Sequence, residues 1–598
     1  MINPSPINTI QLFSGSKQYK VPRFQRNFTW GVDNASEMLD DLNGCMSADS
    51  SNNELYLGPI IFFDNNNSTE LEIVDGQQRL TCLQILLMAC RDVAHDLGNI
   101  PLESDIQNKI AFIDPTSAEI KGPRLIASSS IQMIFDRLAD NNNRDDFFPN
   151  IINGKSIKRQ INKIKPIYDL YKKHIESDAQ SLSNLLNVIY NKTYFIIIEI
   201  DNQEEAFQIF ERTNARGEDL EVSDLLKNYL FSTLDYNNNE IDEKWQEVID
   251  NSGGSLIRLI KYFYVTYKGP INKSILYKGL KKYAGEVSPQ VVFDQLYEFS
   301  KYFYVVNSGS KDEISQYLST LNRSGKNKIN VSTEKIVNVV YHSLEGFRLF
   351  KIFQIYPLIF SAIRLFNRCE KTNNSLKNLT LLFSSLEKYH FINNAVCNRT
   401  GNEVEILYAN YCKSFNLSRD FDKSVLELLK ILKTKLAFRD EFVGKFSDIT
   451  YSTNTIPLIV YIFDRINNNG LHGNRIPIYN SNPAVLRKIN SIEHIYPQKP
   501  VNGFTDQNLL ESIDYIGNLL VISYHENSKL GNRLPNEKII LLEGDEMRSK
   551  IQNLNFIQDF INKYKSQINN WTSLVIQNRG KDLAIEAYEK VWNFSVDG

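Results

Sequence analysis

Ile492-Glu-His-Ile-Tyr-Pro497, then Tyr515-Ile-Gly-Asn-Leu-Leu-Val-Ile522, then His525-Glu-Asn-Ser-Lys529: these three stretches, in this order, decide how the chain reads. The first is a short apolar strand carrying an acid and a histidine side by side. The second is a turn into another strand, and the third opens a helix. Strand, strand, helix, bearing acid-His, then Asn, then Asn, is the arrangement a ββα metal-dependent nuclease requires.

Cleaving a phosphodiester takes a water nucleophile, a base to deprotonate it, and a cation on the scissile phosphate and leaving oxygen. His494 titrates in the right range for the base. Glu493 and Asn527 offer oxygen ligands for one Mg2+ or a similar divalent cation, which keeps several waters and contacts the phosphate. Asn518, counted with the catalytic set, would hold the loop bearing His494 through side-chain-to-backbone hydrogen bonds. Neighbours on a strand point to opposite faces, so Glu493 and His494 share one metal site only if the strand end is bent. His525 is a rival ligand to Asn527. The plain alternative packs His494 under Tyr496 and Pro497 and leaves the asparagines to supply turns.

Working outward, the chain has 598 residues, too many for one hydrophobic core, so two to four domains are expected. A formal net charge of -3 rules out a global cationic field, and any nucleic-acid surface must be a local patch. Six scattered cysteines form no C-x-x-C pair, which argues against a zinc ribbon. Residues 1–18 show no basic-then-apolar leader, and no apolar run approaches a membrane span. The expectation is a reduced, soluble, cytoplasmic protein without membrane contact.

The N-terminal third mixes strand and helix signals. Tyr56–Phe63 and Leu71–Val74 suggest a hairpin, and Leu80–Ala94 a helix with Leu80, Leu83, Leu87 and Cys90 on one face. Tyr194–Ile200 suits a buried strand. Asp201 or Asn202 can cap a following helix with Phe207 and Phe210 inward, and Ser223 can cap another. The tract Asp235–Asp242 reads as a linker, residues onward to about 440 as helices, and Asn467–Arg475 as a second polar break.

Three polar clusters end apolar elements here: Val21-Pro-Arg-Phe-Gln-Arg-Asn-Phe-Thr-Trp30, Asp75-Gly-Gln-Gln-Arg79, and Phe210-Glu-Arg-Thr-Asn-Ala-Arg-Gly217 with Asp224 and Lys227 beyond. A strand-Gly-polar-Arg-helix junction can bind phosphate. Gly76 lets the backbone approach, the helix start offers N–H groups, and Arg79 offers a bidentate fork. Asp75 could help hold a metal or orient a water. The alternative is a capped turn with Arg79 in a surface ion pair. No G-x4-G-K-[ST] sequence occurs, which excludes a Walker-type P-loop. Phe28 and Trp30 read as core residues before they read as a stacking face.

Together these motifs resemble the GmrSD-type modification-dependent restriction enzymes. The C-terminal stretch is similar to their HNH nuclease domain through Glu493-His494-Ile495-Tyr496-Pro497 and Gly517-Asn518-Leu519, with Glu493 where Asp is common. The N-terminal clusters are similar to their NTPase domain, which looks like the ParB/sulfiredoxin-like fold. The match runs through Val21-Pro22, Gln25-Arg26, Trp30, Asp75 to Arg79, Arg212, Asn214, Gly217, Asp224 and Lys227. The resemblance implies binding and hydrolysis of an NTP, GTP or ATP. Asp75 and Arg79 would do catalytic work, and Gln25, Arg26, Gly76, Gln77, Gln78, Arg212, Asn214 and Lys227 would contact nucleotide. It covers roughly residues 1–235 and 440–598.

Between Asn251 and Gly285 there is no Asp or Glu, while Lys261, Lys268, Lys278, Lys281 and Lys282 are interleaved with tyrosines. With Lys529 these could neutralise DNA phosphates, though charges on helices are more often solvated faces. The expected fold class is an α+β multidomain chain, mainly helical. It comprises a ParB/sulfiredoxin-like α/β domain (1–235), a helical middle (236–440) and a ββα-metal (HNH) nuclease domain (441–598). The expected function is an anti-phage DNA endonuclease or nickase, regulated by NTP and by DNA modification, with a homo-oligomer left open. The alternatives are a non-cleaving regulator that senses nucleotide and DNA, and an RNA-directed toxin.

Overall fold

The β-branched and aromatic run Thr193–Ile200 forms a strand with a neighbour on each side, as such residues favour. In the computed structural model, residues 5–22, 28–46, 54–64, 69–117, 119–128, 131–140, 148, 155–175, 179–200, 222–234, 239–322, 330–400, 402–470, 475–500 and 508–596 are described. The N-terminal strands are β1 (Ser5–Asn8), β2 (Gln18–Lys20), β3 (Leu55–Phe63), β4 (Glu70–Asp75), β5 (Ala111–Ile113), β6 (Ile120–Pro123), β7 (Leu125–Ile126) and β8 (Thr193–Ile200). Six of them make a mixed sheet in the order β1-β8-β3-β4-β2-β7, while β5 and β6 pair separately. The expected hairpin is the antiparallel β3–β4 pair, and β8 runs parallel to β3 and antiparallel to β1.

The helix Gln77–Asp96 follows β4 directly. The one-faced reading of Leu80–Ala94 understated it, because every residue from Leu80 to Ala94 is buried, the polar Thr81, Gln84, Arg91 and Asp92 along with the apolar ones. It is a central helix, wrapped by its neighbours on all sides. Arg91 is tolerated there because its guanidinium meets both Asp92 oxygens at 2.7 and 3.0 Å and the Leu138 carbonyl at 2.9 Å. The opposite face of the sheet carries a small cluster of Ile61, Val74 and Ile200.

The described residues group into two compact units, Met1–Gln246 with Tyr277–Phe293, and Glu247–Leu276 with Asp294–Gly598. Part of the expected linker is helical, since Asn239–Asn251 is a helix, and Ser223 lies just inside the helix Val222–Thr233 instead of before it. The second unit is built of helices and one further pair of strands, β9 (Ser491–His494) and β10 (Leu519–Ile522), which run antiparallel. Its core gathers around the helix Ile456–Asn467, with Phe391 stacked on Trp592 at 3.7 Å. Among the described residues no helix is long and apolar enough to cross a membrane.

Candidate active site

Pairing of β9 with β10 sets His494 opposite Leu519 and Glu493 opposite Leu520. Side chains alternate along a strand, so Ser491 and Glu493 share one face and Ile492 and His494 the other. Asn527, on the helix Tyr524–Leu530, donates its amide to the Ser491 hydroxyl, which sets it on the Glu493 face. Glu493 is buried and ion-paired to Lys538 Nζ at 2.5 Å, and the same ammonium donates to the His494 carbonyl at 2.7 Å. Burial raises the Glu493 pKa and lowers that of Lys538, while each opposes the other's shift by stabilising the opposite charge.

His494 turns away from this pair. Its Nε2 meets Asp514 Oδ1 at 3.0 Å, and its ring stands edge-on to Tyr451 at 4.9 Å. Gln498 donates to the same Asp514 oxygen at 2.7 Å. Burial holds the His494 pKa below the usual histidine range, and the Asp514 hydrogen bond and charge act against that shift. The neutral imidazole that results is the form a general base needs.

Asn518 is fully buried and spends its side chain on the loop between β9 and the next turn. Its Oδ1 accepts from the Tyr496 N–H at 2.9 Å and the Trp571 indole at 3.0 Å. Its Nδ2 donates to the Tyr496 and Ile513 carbonyls at 2.9 and 2.8 Å. Asn518 therefore makes the side-chain-to-backbone hydrogen bonds expected of it and fixes the loop that follows His494. Gly517 beside it is dictated by the helix Ser573–Glu586, because a Cβ would lie 2.0 Å from the Ile576 carbonyl oxygen. Buried Arg579 of that helix bonds the Gly517 and Leu519 carbonyls.

Whether a divalent cation suits this site rests on two oxygens. Glu493 Oε1 is buried and, beside its ion pair with Lys538, accepts no hydrogen bond. Asn527 points its amide nitrogen at Ser491 and at the Ile492 carbonyl, so its oxygen is left on the side away from them. The Glu493 oxygen is already held by the Lys538 ammonium, so Mg2+, which takes one or two protein ligands and keeps its waters, fits here only where that ion pair opens. Among the described residues no three His, Cys, Asp or Glu cluster as a closed metal cage. His525 is exposed on the same short helix.

Sequence reasoning missed Asp514, Lys538, Trp571 and Tyr451. Asp514 lies four residues before Asn518, and an acid at that turn was the available signal. Lys538 carries none, since a lysine near a helix start reads as a solvated charge until its burial is seen.

In the first unit, Arg79 closes its fork on β3, donating to the Leu57 and Pro59 carbonyls at 2.5 and 2.8 Å, with Asp75 at 3.7 Å. Both terminal nitrogens of its guanidinium are thus engaged by β3 carbonyls. Gly58 makes room, because a Cβ there would stand 2.2 Å from Arg79 Nη1, and its φ is +96°. Gly76, at φ +95°, caps the helix start. Gln77 and Gln78 are buried, and Gln78 Oε1 accepts from the Thr29 and Trp30 N–H groups at 2.9 and 3.2 Å. That contact draws the first polar cluster against the second. Phe28 is core and Trp30 packs partly buried against it. Lys227 is buried with its ammonium 5.3 Å from the Phe231 ring centroid. Gln25, Arg26, Phe207, Phe210, Arg212, Asn214, Gly217 and His472 lie outside the described residues, as do Asp201 and Asn202.

The lysine-rich stretch does not form one patch on one element. Lys261 and Lys268 lie on the helix Leu256–Lys268 of the second unit, and Lys278, Lys281 and Lys282 on Leu276–Val287, almost all of it in the first. The acid lacking nearby in sequence is supplied from afar, as Glu405 meets Lys261 at 3.3 Å. Lys281 lies over the Tyr229 ring at 5.5 Å. Lys529 is ion-paired to Glu546, and Lys268, Lys278 and Lys282 are exposed.

Residues 9–231 match the N-terminal domain of the GmrSD restriction endonuclease, and residues 437–585 match the C-terminal domain of GmrSD restriction endonucleases. No curated protein matches the chain. Asp75 to Arg79 fall in the first match, and Glu493, His494, Asp514, Asn518, Asn527 and Lys538 in the second. The two matched segments together span more than half of the sequence, and the chain belongs to the GmrSD restriction endonuclease family.

Proposed function

We propose that the chain is an anti-phage endonuclease or nickase that hydrolyses DNA at an HNH-type site in the segment 441–598. The observation that carries this reading is the division of labour across β9. His494, buried and bonded to Asp514, ends β9, with Glu493 next to it in sequence and Asn527 bonded to Ser491 of the same strand. His494 takes the proton of the attacking water, Asp514 fixes the imidazole, and Asn518 fixes the loop that carries it. With its ion pair to Lys538 opened, Glu493 would hold Mg2+ together with Asn527, and the ion would supply charge stabilisation at the phosphate and the leaving oxygen.

Residues 1–235 form the NTP-binding and sensing part in this proposal, with 236–440 linking it to the nuclease. Gln78, by tying the Thr29–Trp30 backbone to the helix start, supports a nucleotide site at Asp75–Gln78 that draws on the polar cluster ending at Trp30. Arg79 is then a positioning residue that shapes β3. Supercoiled plasmid, modified and unmodified, and tRNA should be incubated with Mg2+, with and without GTP or ATP. Nicking of plasmid with tRNA intact supports the DNA reading. Cleavage of tRNA alone replaces it with the RNA-directed toxin, and binding without any cleavage replaces it with the non-cleaving regulator.

A further inference from the structure

Apart from the β9 site, the second unit holds a cavity of about 470 Å³, within the range of small-molecule sites. Its wall includes Lys335, Asn338 and His342 from the helix Glu334–Leu349, Glu387 from Asn373–His390, Arg465 from Ile456–Asn467, and Arg475. None of these belongs to the nuclease set.

The carboxylates around it are already occupied. Asp464, fully buried beneath the wall, takes both arginines and the Ile478 and Tyr479 N–H groups. Glu387 accepts from the Tyr461 hydroxyl and from the Trp592 indole at 3.0 Å, with Arg465 at 4.0 Å. Glu334 at the rim pairs with Lys311 at 4.0 Å. Donors are what remain. The buried Arg475 Nε–H has no acceptor, and among the described residues the Lys335 ammonium has no carboxylate. Burial first, then Arg465 and Arg475, push the His342 pKa down to about 2, as a positive field does.

We propose that this cavity binds a phosphate monoester of nucleotide size, its phosphate taken by Arg475 and Lys335. Arginine and lysine donors without acceptors, beside carboxylates already matched, select an anion with several acceptor oxygens. The phosphate comes either from a free nucleotide or from the end of a DNA strand.

Calorimetric titration of the full chain with AMP, adenosine and a 5′-phosphorylated single-stranded oligonucleotide tests this. AMP is expected to bind and adenosine not to. Lys335→Gln and Arg475→Gln should each weaken AMP by about tenfold, the effect of one lost charge-assisted hydrogen bond. Lys377→Gln, at an exposed lysine outside the cavity, should bind AMP as wild type does. Lys335 is exposed, so Lys335→Gln decides the matter if Arg475→Gln fails to fold. Competition by the oligonucleotide assigns the phosphate to DNA, and lack of competition assigns it to free nucleotide. No AMP binding, or binding that Lys335→Gln leaves intact, overturns the proposal.

Discussion

Replacing Asn518 by Ala should loosen the loop that carries His494 far more than a single buried asparagine ordinarily would. Four hydrogen bonds disappear, and the Tyr496 N–H, the Tyr496 and Ile513 carbonyls and the Trp571 indole lose a partner where Asn518 is fully enclosed. A net hydrogen bond contributes about 1 kcal/mol, and a buried group left unsatisfied costs about 1–3 kcal/mol. With partial relaxation and water entry, the expected loss is about 4 kcal/mol, at the high end for a point substitution. Whole-chain melting reports on two units at once and blurs the effect. Hydrogen exchange resolves it, because the Tyr496 amide bonds Asn518 Oδ1 directly. Its exchange should accelerate by about a thousandfold, the equivalent of that free energy. Exchange within about threefold of wild type, less than 1 kcal/mol, would refute the claim that Asn518 pins the loop.

Asp514→Asn removes the charge that supports the His494 imidazolium, so the His494 pKa falls further. The base must be neutral, and the acid limb of the pH–rate profile should therefore move to lower pH, with a lower plateau from lost orientation. An unmoved limb would count against His494 as the titrating base. Lys538→Met leaves Glu493 as a buried carboxylate without its cation and should cost about 3–5 kcal/mol, as one-sided removal of a buried pair does. Adding Glu493→Gln to that variant should restore much of the loss in denaturant melts, and simple additivity would deny the coupling. Gly58→Ala should destabilise the first unit by about 1–3 kcal/mol, since it forces a left-handed backbone on alanine and drives its Cβ into Arg79. Limited proteolysis of the first unit, unchanged from wild type, would show that Arg79 does not clamp β3.

Much of the fold was legible where local pattern and tertiary environment agree. The β3–β4 hairpin, the strand at Thr193–Ile200 and the β9–β10 pair follow from alternation, β-branching and turn residues. The helix Gln77–Asp96 shows the limit, because only packing reveals that Arg91 and Asp92 neutralise each other inside a core. The same holds at the site. Glu493, His494 and Asn527 stand out by residue type and order, whereas Asp514 and Lys538 act through contacts made 20 and 44 residues away in sequence. The lysine stretch shows a related limit: absence of acids in a sequence window says nothing about Glu405, which folding brings to Lys261.

The central claim is that His494 on β9 is the base of a metal-dependent DNA nuclease. Its most direct test is nicking of supercoiled plasmid by purified wild type and His494→Ala in Mg2+, with EDTA controls. The account predicts Mg2+-dependent nicking by wild type and a loss of at least about a hundredfold in the variant, the usual contribution of a general base. Nicking by His494→Ala at the wild-type rate would contradict it.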